Sequence, residues 1–270
     1  MYTYPFFEVE KIPEQKTAIL YLNRPEKLNA MSSPFWFDLP LVIDDLEKDP
    51  DVRVVIIAGR GKSFSVGIDV FEFFSNNQQT LTGTTAEDRD ALYQLILRMQ
   101  EGFNRIANGN NIYIAATHRH CIGAGLDLGA ACDLRLATKD CTFSVRETRI
   151  AIVADMGSLN RLPLIIGQGH ARMMALTGRD YSAEEAFRMG LINFVYEDQA
   201  ALMTGARALA AEIFANSAPV VTGTKKVLKY MENHDIEDGL RYVATWNAAF
   251  LNIREIQQAF AASMEKRTPK

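Results

Sequence analysis

A continuous apolar run, Ile112 to Thr117, passes through His118-Arg119-His120 into Cys121-Ile122-Gly123-Ala124-Gly125, and Leu126-Asp127-Leu128-Gly129-Ala130-Ala131 then opens a helix. Strand, tight turn and helix start follow one another with no room for a longer loop. Glycines at such a turn let the backbone approach a ligand, and the first N–H groups of the helix point outward at the positive end of its dipole. The turn is therefore suited to an anion or a developing oxyanion. A second run, Val52 to Ala58, lacks the alternation of a half-exposed strand and reads as a strand covered on both faces, as in a parallel sheet. Together the two runs predict an α/β core.

The remaining segments extend this pattern. Thr17 to Leu22 reads as a strand closed by Asn23-Arg24-Pro25. Ser33 and Pro34 open a helix that runs to Asp49-Pro50, with a kink expected at Pro40. Asp69 reads as the cap of the segment Val70 to Phe74, and Asn76 to Thr85 as a polar loop. From Ala86 to Ala107, Leu92, Leu95, Ile96, Met99, Phe103 and Ile106 recur at helical spacing. Short strands are expected at Asp133–Ala137, Thr142–Val145 and Leu191–Tyr196. A helix is expected from Gly157 to Gly167, and a capping box at Ser182-Ala183-Glu184-Glu185 opens another. After Asp198 only helical patterns remain: Ala200–Phe214, Pro219–Met231 and Ile236–Met264. The chain thus divides into a strand-and-helix core, residues 1–198, and a helical tail, residues 199–270.

Three carboxylates, Asp127, Glu147 and Asp155, follow the glycine turn at separations of 147 − 127 = 20 and 155 − 147 = 8 residues. A donor-lined turn with several acids suggests proton transfer beside a carbonyl. Each acid also has a plain reading. Asp127 is a first-turn acid favoured by the helix dipole, Glu147 belongs to a charge cluster with Arg146 and Arg149, and Asp155 caps the next helix.

Other chemistries are excluded. Gly59-Arg60-Gly61-Lys62-Ser63 resembles the tail of a phosphate-binding P-loop, but the glycine required five residues before Gly61 is Ile56. Three cysteines, Cys121, Cys132 and Cys141, form neither a disulfide framework nor a zinc pattern, and they point to a reducing compartment. His118 and His120 have no third ligand near them except Cys121, and no metal is expected. A net charge of −4 offers no general attraction to nucleic acid or an anionic membrane. The first residues show no targeting pattern, no apolar stretch spans a membrane, and Arg267-Thr268-Pro269-Lys270 matches no peroxisomal address. The expectation is a cytoplasmic protein.

LNRPEKLNAM at 22–31, SFSVGIDV at 63–70, CIGAGLDLGAACDLRLAT at 121–138 and LNRLPLIIG followed by GLINFVY occur in an order and spacing that resemble the crotonase superfamily, the enoyl-CoA hydratase and isomerase family. The resemblance implies a spiral of strand-strand-helix turns with a C-terminal helical trimerisation region, assembled as a homotrimer or hexamer. It implies an acyl-CoA thioester substrate and no further cofactor, coenzyme A being part of the substrate. The thioester oxygen would be held by the N–H groups of Val66 and Ala124, with Gly67, Ile68, Asp69 and Val70 completing the substrate-binding stretch. Arg24 and Lys27 would face the coenzyme phosphates, although plain surface charge explains them nearly as well. The set Asp127, Glu147, Asp155 looks like that of the dienoyl-CoA isomerases, which convert 3,5-dienoyl-CoA to 2,4-dienoyl-CoA. Glu147 is then the base at the α-carbon, Asp155 the acid at the distal carbon and Asp127 a supporting polar group. The alternatives are an enoyl-CoA hydratase, another crotonase-type isomerase, or a homologue that binds acyl-CoA without turnover. Two departures stand out: His118-Arg119-His120 replaces the usual His-Gly-Gly, and Ala124 replaces a common glycine, where a positive φ would be strained.

Overall fold

The computed structural model describes residues 4–265; the C-terminal tetrapeptide, and with it the expectation about a peroxisomal address, lies outside them. The chain forms two compact units, divided after Glu212. In the first, β1 (Phe7–Ile12) and β2 (Thr17–Leu22) pair antiparallel, and β3 (Val54–Gly59), β4 (Ile112–Thr117), β6 (Leu134–Thr138) and β9 (Phe194–Tyr196) follow in parallel. The sheet order is β1-β2-β3-β4-β6-β9. Every residue of β2, β3 and β4 is buried, which is why their sequences carry no polar alternation. A second, three-stranded sheet holds β5 (His120–Ile122), β7 (Thr142–Ser144) and β8 (Tyr181–Ser182) in the order β5-β7-β8.

Helices cover these sheets. The first, α1 (Ser33–Lys48), is continuous through Pro40. Its Phe35 and Trp36 meet edge-on, centroids 5.0 Å apart, and both rings touch Phe103 of α4 (Ala86–Asn108). Phe35 is fully buried and also contacts Phe6 and Phe7, so this aromatic cluster ties the N-terminal segment to the core. The Thr85–Asp88 capping box opens α4. As expected, Asp69 caps α2 (Val70–Asn76), its Oδ1 accepting from Glu72 N–H at 3.1 Å.

Several boundaries differ from the sequence reading. The expected loop at Asn76–Thr85 contains a short helix, α3 (Gln78–Thr82). The helix expected to stop at Gly167 does break there, at φ 74° and ψ 162°, but the chain re-enters the helical region, and α6 spans Ser158–Thr177. The capping box at Ser182 and Glu185 opens α7 (Ala183–Arg188) as read. The compact core runs past residue 198 to Glu212, because α8 (Gln199–Phe214) buries Leu202, Ala206 and Ala210 and Gln199 Nε2 donates to Gly59 O at 3.3 Å.

The second unit, from Ile213 onward, contains α9 (Ala218–Met231), α10 (Ile236–Phe250) and α11 (Ile253–Glu265). The last two were expected as one helix; the chain turns at Leu251-Asn252, where Asn252 Oδ1 accepts from Arg254 N–H. Tyr230 stacks on both His234 and Tyr242, which joins α9 to α10. Leu228, Ile236, Leu240, Ile253 and Phe260 are exposed within this unit.

Candidate active site

The segment after β3 runs parallel to β5, with Ser65 bridged to Cys121: Ser65 N–H donates to His120 O at 2.9 Å, and Ile122 N–H to Ser65 O at 3.2 Å. β5 pairs with β7, and Gly123 N–H donates to Ser144 O at 2.9 Å. These ladders bring three remote pieces of chain to one point: residues 65–68, the turn at 123–125, and the stretch after β7 that carries Glu147 and Asp155.

Glycine is required twice here. Gly67 adopts φ 87°, and a Cβ on it would lie 2.8 Å from Ile122 O and 3.2 Å from Ala124 N. Its bare backbone therefore rests directly on the turn. Gly123 adopts φ 54° and ψ −127°, a region open essentially to glycine, and a Cβ there would meet Glu147 Oε1 at 3.3 Å. The positive φ falls on Gly123 and not on Ala124, which is the first residue of α5 (Ala124–Ala131). The strain expected at Ala124 is thereby absent. At the other departure Arg119 adopts φ 59°, the left-handed conformation that glycine takes freely.

As the first amide of α5, the Ala124 N–H has no acceptor among the described residues and points out along the helix axis. Val66 N–H lies 3.3 Å from Leu28 O, a long bond. Beside Ala124 is a small cavity of about 80 Å³, walled by Trp36, Ile68, Val70, Phe73, Phe74, Ile96, Met99, Ile150, Ile152 and Met156, into which Glu147 and Asp155 also open. Of the predicted substrate-binding stretch, Ile68, Val70 and Ala124 line this cavity. Val66, Gly67 and Asp69 do not line it, and the Asp69 carboxylate is committed to the α2 cap and to Arg24 Nη1 at 2.7 Å. Arg24 is engaged by Asp69 and by Ala30 O, as an internal strut and not a free cation.

The three acids occupy different surroundings. Glu147 begins a 3₁₀ turn, Glu147–Ile150, that ends at Ala151 with φ 60°. Burial raises its pKa above the usual carboxylate range, and the nearby charge of Asp155 adds to this. Asp155 sits in the apolar loop before α6, where burial raises its pKa too, and Gln100 of α4 holds its carbonyl at 2.6 Å. Asp127 is fully buried behind the cavity wall, its pKa pushed up to about 7 by burial and then by the charge of Glu147.

The cap of α6 is not Asp155. Asp127 Oδ1 accepts the Ser158 N–H from across the core, so the plain role foreseen for Asp155 belongs to Asp127. Asp155 is free to face the cavity.

The aromatic and aliphatic wall was not foreseen from sequence; Trp36, Phe73 and Met99 are spread over three helices and look like ordinary core residues. His118 Nε2 meets Gly61 O at 3.1 Å and His120 Nδ1 meets Ser63 Oγ at 3.3 Å, which ties both rings to the neighbouring loop. Among the described residues no group of three His, Cys, Asp or Glu side chains can hold a metal ion, and no helix is long and apolar enough to cross a membrane.

Known proteins are similar to this chain over most of its length. An Arabidopsis thaliana protein named peroxisomal Delta(3,5)-Delta(2,4)-dienoyl-CoA isomerase is 39% identical over 263 residues, covering 97% of this chain and 95% of its own. A Dictyostelium discoideum protein named mitochondrial Delta(3,5)-Delta(2,4)-dienoyl-CoA isomerase is 36% identical, covering 98% and 91%. An enoyl-CoA hydratase structure from Bacillus anthracis superposes with a TM-score of 0.85 at 26% identity, over 98% of both chains. A Thermobifida fusca protein in complex with acetoacetyl-CoA does so with a TM-score of 0.80 at 28% identity, over 90% of this chain and 94% of its own. The sequence profile described as Enoyl-CoA hydratase/isomerase matches residues 14–270, and with the fold and the amide-and-acid cavity in place the chain belongs to that enzyme family.

Proposed function

We propose that the protein is an isomerase converting 3,5-dienoyl-CoA to 2,4-dienoyl-CoA. The observation that carries this reading is that Glu147 and Asp155, and not Asp127, share one apolar cavity with Ala124. A hydratase needs two carboxylates converging on one water. Here the residue that would be the second member of that pair is fully buried outside the cavity, whereas two acids facing a common apolar chamber suit proton removal at one carbon and delivery at another. The names carried by the Arabidopsis and Dictyostelium relatives support the same substrate class.

In this mechanism the Glu147 carboxylate takes a proton from the α-carbon. The C–H electron pair passes into the conjugated system, and negative charge develops on the thioester oxygen, where the amides of Ala124 and Val66 receive it. For Val66 this requires the long contact with Leu28 O to be exchanged for the substrate oxygen. Asp155, kept protonated by its apolar surroundings, gives its proton to the distal carbon and closes the 2,4-diene. Glu147 then holds one proton and Asp155 lacks one; exchange with solvent restores both.

Coenzyme A belongs to the substrate and no other cofactor is invoked. The exposed apolar side chains of the C-terminal unit support assembly into a homotrimer or hexamer. Three buried free thiols support a reducing compartment, the cytoplasm in the sequence reading; the peroxisomal and mitochondrial locations in the relatives' names describe those proteins. The deciding assay offers purified protein 3,5-dienoyl-CoA and, separately, 2-enoyl-CoA, following the absorbance of the thioester-conjugated diene. Turnover of the first substrate is expected; turnover of the second alone would overturn the assignment.

A further inference from the structure

Asp127, Glu147 and Ser158 present an accounting problem. Asp127 Oδ1 accepts the Ser158 N–H, yet Asp127 Oδ2 is buried with no hydrogen-bond partner among the described residues. Glu147 Oε2 is buried in the same condition. An orphaned buried carboxylate oxygen carries a full desolvation cost, and here two such oxygens belong to neighbouring acids. Two carboxylates cannot bond to each other, because each can only accept; one proton changes this, since a carboxylic acid has one donor and keeps an acceptor.

Either acid could hold that proton and make the bond, but burial favours one placement. If it sat on Glu147 Oε2 the same bond would run the other way and leave the charge on Asp127, which has no exposure to solvent, whereas Glu147 lines the cavity. If it sits on Asp127 Oδ2, Oδ1 remains the acceptor for Ser158 N–H, Oδ2 becomes a donor, and Glu147 Oε2 gains the donor it lacks. Glu147 then stays ionised and fixed in direction, with its other oxygen against Gly123, where no side chain competes for the space.

We infer that Asp127 works as a neutral carboxylic acid, a positioning residue that donates its Oδ2 proton to Glu147 and so holds the base ionised and aimed into the cavity. The inference rests on the isomerase reading for what Glu147 does, but not for the protonation state itself. It explains why an aspartate that lines no part of the cavity stands in the first turn of the oxyanion helix. It also gives that residue two ends with separate duties, one capping α6 and one orienting the base. Among the groups around it, burial and then the charge of Glu147 oppose ionisation of Asp127, while the Ser158 amide, the Ser158 hydroxyl and, last, Arg161 of α6 each favour it less strongly. Cys121, on β5, is itself held neutral by burial, and Asp155 acts on Glu147.

Asparagine reproduces the donor and acceptor pattern of a protonated aspartate and cannot ionise. Asp127→Asn is therefore expected to lose far less kcat for 3,5-dienoyl-CoA than Asp127→Ala. Asp127→Ala, which loses both the cap and the donor, is expected to lose about 10²-fold in kcat, the scale of a misplaced catalytic group. Should Asp127→Asn fall as far as Asp127→Ala, Asp127 acts as an anion and the inference fails. Infrared spectroscopy of the free enzyme decides the protonation state without substrate. At about pH 5 the wild type should show a protonated-carboxyl band that Asp127→Asn lacks and that fades as the pH passes the value of about 7 held by Asp127. A protonated Asp155 contributes equally to both spectra and cancels in the difference. An identical pair of spectra would overturn the inference even if the dienoyl-CoA assay succeeds. If that assay fails while the band difference appears, the substrate reading is lost and the shared proton stands.

Discussion

A buried acid that holds its proton should leave a mark on stability, and Asp127→Asn isolates it. The unfolded aspartate ionises near 3.8 and the folded one at about 7. Below the lower value both states carry the proton and the residue adds no pH dependence. Between the two values only the folded state carries it, so folding takes up a proton and stability falls as the pH rises; above the folded value both states are ionised and the whole penalty has been incurred. The interval is 7 − 3.8, about 3 units, and at 1.36 kcal/mol per unit the wild type should lose about 4 kcal/mol from this residue between roughly pH 4 and pH 8. No discount for solvent screening applies, because Asp127 is fully buried. Glu147 and Asp155 titrate in both proteins, so the quantity to compare is the difference between wild type and Asp127→Asn in denaturant unfolding, at matched protein concentration across that range. The two stability curves should converge near pH 4 and separate towards pH 8, with the variant the more stable. Parallel curves would refute the reasoning, and a variant that is less stable at pH 8 would mean that Asp127 is a stabilising anion.

Glu147→Gln and Asp155→Asn should each lower kcat by about 10²–10⁴-fold, and α-proton exchange in deuterated water should survive in Asp155→Asn and vanish in Glu147→Gln; the opposite pattern would reverse the two roles. Ala124→Pro removes the outward amide at the first helical position, where proline fits the backbone, and should cost about 10²–10³-fold in kcat; a folded variant with wild-type turnover would mean that the oxyanion is held elsewhere. Phe35→Ala, in the cluster with Phe6, Phe7, Trp36 and Phe103, should destabilise by about 3–5 kcal/mol in urea unfolding, and a cost below about 1 kcal/mol would show that the core collapses around the gap.

Signals that act over a few residues were legible in the sequence. The apolar runs of β3 and β4 announced burial on both faces, Asp69 announced the cap of α2, and Ser182 with Glu185 announced the capping box of α7. α3 was missed because its five residues carry neither a cap nor an apolar period. The break at Gly167 was visible, but the return to helix after it was not, since nothing local requires a chain to stop once a glycine has interrupted it. The end of the core was placed too early because the pattern of α8 is that of any helix, and only its packing shows Leu202, Ala206 and Ala210 buried.

By itself the sequence determined the elements, the glycine turn and the identity of the three acids, because each depends on steric and hydrogen-bonding preferences within one turn or strand. What each acid does was decided by the tertiary structure. Asp155 precedes α6 and reads as its cap, yet the Ser158 amide is taken by Asp127, 31 residues away in the chain, and that exchange leaves Asp155 facing the cavity. Asp127 looks like an ordinary first-turn acid until the fold encloses it without solvent and sets Glu147 beside it. Acidity follows the dielectric and the charges around a group, and those are set by residues that become neighbours only when the sheets are assembled.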